Sequence, residues 1–133
     1  MSHVLFVCIE NSCRSQMAEG FARVFGKDAV SAWSAGSRPS GEVNARAIAF
    51  MQENGIDISG QNSKGLDDLP EVAWDYIVTM GCGDACPFLP AHHRRDWELP
   101  DPKTLDDAGF RAVRDEIAGR VRELLAEAAG RAT

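Results

Sequence analysis

A chain of 133 residues, 44% hydrophobic and 26% charged, reads as one soluble globular domain spanning 1–133, long enough to bury a core and too short for two. Its net charge of −6 argues against nucleic acid or an anionic membrane as the main partner, so an anionic substrate would need a strong local site. No apolar run approaches the ~20 residues of a membrane span, and no basic n-region leads into a hydrophobic h-region at the N-terminus, so a cytoplasmic protein is expected.

In chain order, Val4 to Val7 is a continuous apolar run that predicts a buried strand ending at Cys8. Met17, Phe21 and Phe25, with Ala18 and Ala22, form one face of a helix that Gly26 ends. Val30 to Ala35 predicts a second strand stopped by Gly36, and Ala45, Ile48, Ala49 and Met51 mark a second helix ending at Asn54-Gly55. Asp57 to Pro70 is a polar connection with one helical turn around Leu66 and Leu69. Trp74 to Met80 is a third strand, broken by the Gly- and Cys-rich segment 81–87, and a short fourth strand ends near Trp97 ahead of Pro100-Asp101-Pro102. The last helix is expected over Asp106 to Ala128, with Phe110, Val113, Ile117, Val121, Leu124 and Leu125 on its buried stripe.

Alternating strands and helices imply an α/β fold, a three-layer sandwich around a four-stranded parallel sheet ordered 2-1-3-4. In a parallel sheet the strand C-termini share one edge, where ligands bind at the switch of strand order. Cys8, Cys82 and Asp101 follow strands one, three and four and are therefore expected at one site.

The stretch from Cys8 to Ser15 carries the most chemistry. Where a strand turns sharply into a helix, successive N–H groups face one concavity, and the first helical turn adds partial positive charge. Cys8, Ile9, Glu10, Asn11, Ser12, Cys13, Arg14 and Ser15 thus read as an oxyanion cradle. The same dipoles favour the thiolate of Cys8, and the planar fork of Arg14 can grip two oxygens of a tetrahedral anion. Cys13 is expected to pack beneath the loop, Asn11 to hold its tight conformation, and Ser12 and Ser15 to offer hydrogen bonds to thiolate or anion.

Four cysteines could form a disulfide framework, but nothing indicates secretion, so catalytic or metal-binding thiols are the better expectation. Cys82 and Cys86 are four residues apart, and in a helical turn their Cα atoms would lie ~6 Å apart, a distance a disulfide tolerates. Redox function competes there with incidental thiols and with a zinc site completed by His92 and His93. Asp101 between prolines is either a turn residue or, at the sheet edge, a general acid. The run His92 to Arg95 reads as a solvated basic loop.

Taken together, Cys8-Ile-Glu-Asn-Ser-Cys-Arg-Ser-Gln-Met-Ala-Glu-Gly20, Trp33-Ser-Ala-Gly36, Asp57-Ile-Ser59, Val78-Thr-Met-Gly-Cys82, Cys86-Pro87, Asp101-Pro102 and Val113-Arg-Asp-Glu-Ile117 resemble the thioredoxin-coupled arsenate reductases of the low-molecular-weight protein tyrosine phosphatase fold. Gln16 and the pair Cys82 and Cys86 resemble the reductase branch. Phosphatases of the fold usually carry proline at the position of Gln16 and aromatic residues just after the acid, where this chain has Lys103-Thr-Leu105.

The resemblance implies that Cys8 attacks arsenate, Asp101 protonates the departing oxygen, and Cys82 then Cys86 relay a disulfide to an external thiol. Thioredoxin is the implied reductant, with glutaredoxin or mycothiol as alternatives, no bound cofactor, phosphate and sulfate as competing oxyanions, and a monomer. Relatives with a structural potassium use Asn, Glu, Ser and Asp. Asn11, Glu19 and Ser34 match, Lys64 stands at the Asp position, and no metal site is expected. Two other readings remain, a phosphatase acting on monoesters and a non-enzymatic zinc or arsenite-binding module.

Overall fold

Along the first strand, β1 (Ser2–Cys8), Val4, Phe6 and Cys8 alternate with Leu5 and Val7, so both faces are apolar, and all five side chains are buried. A strand apolar on both faces must lie centrally with cover on each side. It does so in the computed structural model, which describes residues 2–81 and 89–131. With β2 (Val30–Gly36), β3 (Trp74–Thr79) and β4 (Ala91–Asp96), it forms a parallel sheet of order β2-β1-β3-β4, as the sequence predicts.

Three helices, α1 (Arg14–Gly26), α2 (Ala45–Gln52) and α3 (Asp107–Arg131), cover the face carrying Val4, Phe6 and Cys8. Met17 and Phe21 of α1, Met51 of α2, and Phe110 and Ile117 of α3 are its largest buried contributions. The opposite face buries Leu5, Val7, Ala35, Trp74 and Ile77 beneath Trp33, Leu66, Leu69, Val72 and Leu89. Among the described residues this third layer is a connection with one 3₁₀ turn at Leu66–Asp68. No described helix is long and apolar enough to cross a membrane.

Local chemistry explains where elements begin. Asn44 caps α2, its Oδ1 accepting from Arg46 N at 2.9 Å and Ala47 N at 3.3 Å. Asp106 Oδ1 accepts from Gly109 N at 2.9 Å, so Asp106 is the cap of α3 and the helix starts one residue later than its apolar period suggests. The basic run expected as a loop is instead β4 itself. An edge strand tolerates charge on its solvent side. His92 and Arg94 are exposed, while Arg95 turns back to pair with Glu127 of α3 at 2.7 Å.

The register sets the site. Cys8 lies opposite Gly36, Val7 opposite Thr79, and Thr79 opposite Asp96, so all four strands finish at one edge.

Candidate active site

Between the end of β1 and the start of α1, every carbonyl from Ile9 to Cys13 is engaged by the surrounding structure. Ile9 O accepts from Arg38 N (2.8 Å), Glu10 O from Ser40 N (3.0 Å) and Ser63 Oγ (3.0 Å), and Asn11 O from Gln16 Nε2 (3.0 Å). Ser12 O accepts from Asn44 N and Cys13 O from Met17 N, both at 2.9 Å. In a trans peptide plane the C=O and the following N–H point in opposite directions. Fixing these carbonyls outward therefore turns the N–H groups of residues 10–14 toward the concavity. The first turn of α1 has no side-chain cap, which leaves its N–H groups for an anion.

Two backbone positions make this turn. Asn11 has φ of +51°, a conformation that Asn adopts more readily than most residues, and its side chain is wholly buried. Gly36 gives the loop room to approach, because a Cβ there would strike the Ile9 carbonyl and lie 2.9 Å from Asn11 N.

Cys8, Cys13, Arg14, Arg38, Asp101 and Lys103 line one cavity of about 380 Å³, with Glu10, Ser12, Pro39 and Ser40 completing its wall and rim. Cys8 Sγ lies 2.8 Å from Ser15 Oγ, which also accepts from Asn11 Nδ2 at 2.8 Å. The hydroxyl thus has its proton free to point at sulfur. Arg14 Nη1 donates to Leu99 O at 2.9 Å and packs against Gly81, where a Cβ would push the guanidinium aside and the φ of +76° itself disfavours a side chain. Asp101 caps the 3₁₀ turn Pro102–Thr104 through Lys103 N, 3.1 Å from Oδ1. Burial pushes the Cys13 thiol up to about 12, against the lowering influence of Lys103.

Sequence reasoning brought Cys8, Arg14 and Asp101 to one edge, where they share a cavity. Through the resemblance it also grouped Asn11, Glu19, Ser34 and Lys64 and singled out Gln16, but it did not foresee that Gln16 and Glu19 belong to one buried polar layer beneath the loop. Gln16, wholly buried, bridges Asn11 Oδ1 (2.9 Å) and Asn62 O (2.8 Å), and its own Oε1 accepts from Gln61 at 2.8 Å. Glu19 is 1% exposed yet well compensated: Oε2 pairs with Arg23 at 2.8 Å, while Oε1 accepts from Ser34 Oγ at 2.5 Å and faces Lys64 Nζ at 3.4 Å. The available signal was two polar residues on the inward face of α1, where neighbours are apolar. Lys103 was noted only as replacing an aromatic, and Arg38 not at all. Cys82 and Cys86 lie outside the described residues. Among the described residues no group of three or more His, Cys, Asp or Glu side chains is placed to hold a metal ion.

The family described as low molecular weight phosphotyrosine protein phosphatase matches residues 3–132, and the chain belongs to that family. Within it, the similarity runs to arsenate reductases. The glutaredoxin arsenate reductase of Synechocystis is 41% identical over 130 residues, covering 96% of this chain and 98% of that protein. A solved arsenate reductase in the phosphate binding state superimposes with a TM-score of 0.85 at 41% identity, over 96% of this chain and 98% of the other. The thioredoxin-dependent arsenate reductase of Corynebacterium glutamicum gives a TM-score of 0.81 at 38% identity, over 96% of this chain and 61% of that one.

Proposed function

We propose that this enzyme reduces arsenate to arsenite in the cytoplasm as a single domain, using Cys8 as nucleophile and a thiol relay through Cys82 and Cys86. The observation that carries the reading is the outward-locked carbonyl ring around a cavity shared by Cys8, Arg14 and Asp101. Inward N–H groups and the Arg14 fork bind a tetrahedral oxyanion, and the Ser15 hydroxyl donates to the Cys8 sulfur as it attacks.

Cys8 sulfur displaces an arsenate oxygen, which leaves as water with a proton from Asp101, and a covalent Cys8–arsenic bond forms. Cys82 thiolate then attacks Cys8 Sγ. The sulfur–sulfur bond forms as the sulfur–arsenic bond breaks, and its electron pair stays with arsenic, which departs as arsenite. Cys86 attacks Cys82, freeing Cys8 and leaving a Cys82–Cys86 disulfide. An external dithiol supplies the two electrons that reopen it. Thioredoxin and glutaredoxin are the candidate donors, in keeping with the names of the relatives.

Phosphate and sulfate compete because the cradle reads shape and charge rather than the central atom. An aryl phosphate monoester fits less well, since the described lining residues are charged, small or aliphatic and include no aromatic ring to stack on it. A zinc module built on His92 and His93 is disfavoured. Successive residues of a strand point to opposite sides, and His93 packs against Tyr76 with ring centroids 4.9 Å apart while His92 is exposed. The chain works as a monomer without potassium, the Lys64 ammonium standing beside Glu19 instead.

Arsenate-dependent NADPH oxidation with thioredoxin and its reductase, run beside glutaredoxin with glutathione, tests the reading. Turnover is expected with at least one system, at equal rates in potassium and in tetramethylammonium salts, and its loss is expected in Cys82→Ser. Full turnover by Cys82→Ser would refute the relay, and a potassium requirement would refute the role given to Lys64.

A further inference from the structure

Asp101 sits on a separate element from the cradle it serves, and something must hold the two in register. Upstream of the acid, the Leu99 carbonyl accepts from Arg14. Downstream, Lys103 Nζ forms a hydrogen-bonded ion pair with Glu10 Oε1 across 93 residues of sequence. The main-chain N–H of Lys103 also donates to Asp101 Oδ1 at 3.1 Å. One residue therefore grips the acid with its backbone and the cradle loop with its side chain.

We infer that Lys103 is a positioning residue, and that its ion pair with Glu10 straps the turn bearing Asp101 onto the oxyanion cradle. The inference rests on the reading of Asp101 as the acid. As a stabilising contact the pair is worth little, because both side chains are partly exposed, 29% for Lys103 and 46% for Glu10. As a geometric constraint it can matter far more, since a misplacement of about 1 Å costs a reaction on the order of 100-fold. Pairing also resolves an oddity of the site, a carboxylate at the rim of a cavity built for anions. The hydrogen bond to Glu10 holds the Lys103 ammonium above its usual range, so the cationic half of the strap stays charged at neutral pH.

A rival role for Lys103 is simple attraction of the incoming oxyanion, and the two roles predict opposite behaviour when Glu10 is neutralised. The experiment is a single turnover: reduced full-length protein is mixed with arsenate without external reductant, the second-order rate of arsenite formation is measured, and phosphate Kd is measured in parallel. Lys103→Met and Glu10→Gln should each slow the rate by about 10–100-fold with phosphate Kd within about threefold of wild type. The double variant should be no slower than the slower single variant, and the exchanged pair Glu10→Lys with Lys103→Glu should recover most of the loss. A wild-type rate in Lys103→Met, or faster reaction and tighter phosphate binding in Glu10→Gln, would overturn the strap. Should Lys103→Met not fold, Glu10→Gln decides alone. Asp101→Asn separates the two readings. If it reacts at the wild-type rate the acid assignment fails, whereas a slow Asp101→Asn beside a fast Lys103→Met refutes only the strap.

Discussion

Cys8 and Cys13 share one loop and equal burial, each 3% exposed, yet their surroundings differ. Cys8 closes a strand with Ser15 Oγ 2.8 Å away, at the focus of inward N–H groups. Cys13 is the first residue behind the helix, and desolvation pushes its thiol up to about 12. It remains a neutral thiol throughout the working range, and a neutral thiol is a poor nucleophile. In the native protein at about pH 8, iodoacetamide should leave Cys13 unmodified, with labelling only after denaturation, and Cys13→Ala should retain arsenate turnover within about threefold. Native-state labelling of Cys13 at the rate of a free thiol would contradict this assignment.

At the scale of elements, α2 and α3 are tied by Glu53, which pairs with Arg111 at 2.9 Å and with Arg114 at 2.6 Å. Arg114 is itself buried and donates to Phe50 O at 2.9 Å, while the rings of Phe50 and Phe110 pack 4.9 Å apart beside it. Hydrogen bonds from Arg111, then from Arg114, hold the Glu53 carboxyl down at about 2 against an ordinary 4.5. A depressed carboxylate stabilises the fold fully above its unfolded value, and that contribution is lost as pH falls. Urea denaturation should therefore find Glu53→Gln less stable than wild type at pH 7, with the gap narrowing from about pH 4.5 and closed near pH 2. A gap independent of pH would mean that the carboxylate's charge is not what joins the helices.

For the molecule as a whole, the sheet and its site edge were legible because they follow from short-range patterns. The doubly apolar β1 fixes a central strand, and the break after Cys8 marks the switch point. Boundaries were less legible where a side chain overrides periodicity, as Asp106 does at the start of α3. The basic run 92–95 misled because edge position, a tertiary fact, decides whether charges sit on a strand or a loop. Glu19, Ser34 and Lys64 were legible as a group only through the family resemblance, while the bridge from Gln16 to Asn62 was obscured because the two are distant in sequence. Lys103 and Glu10 face each other only because the segments after β1 and β4 leave the sheet at the same edge. The sheet thus brings nucleophile, cation and acid to one cavity, and the proposed reduction adds two thiols after β3. Peptide mapping by mass spectrometry after one turnover of arsenate, with no external reductant, tests that claim most directly. The account predicts one arsenite per chain, a Cys82–Cys86 linkage in the wild type and a Cys8–Cys82 linkage in Cys86→Ser. Arsenite formed at full yield by Cys82→Ser, or no arsenite with all four thiols still free, would contradict it.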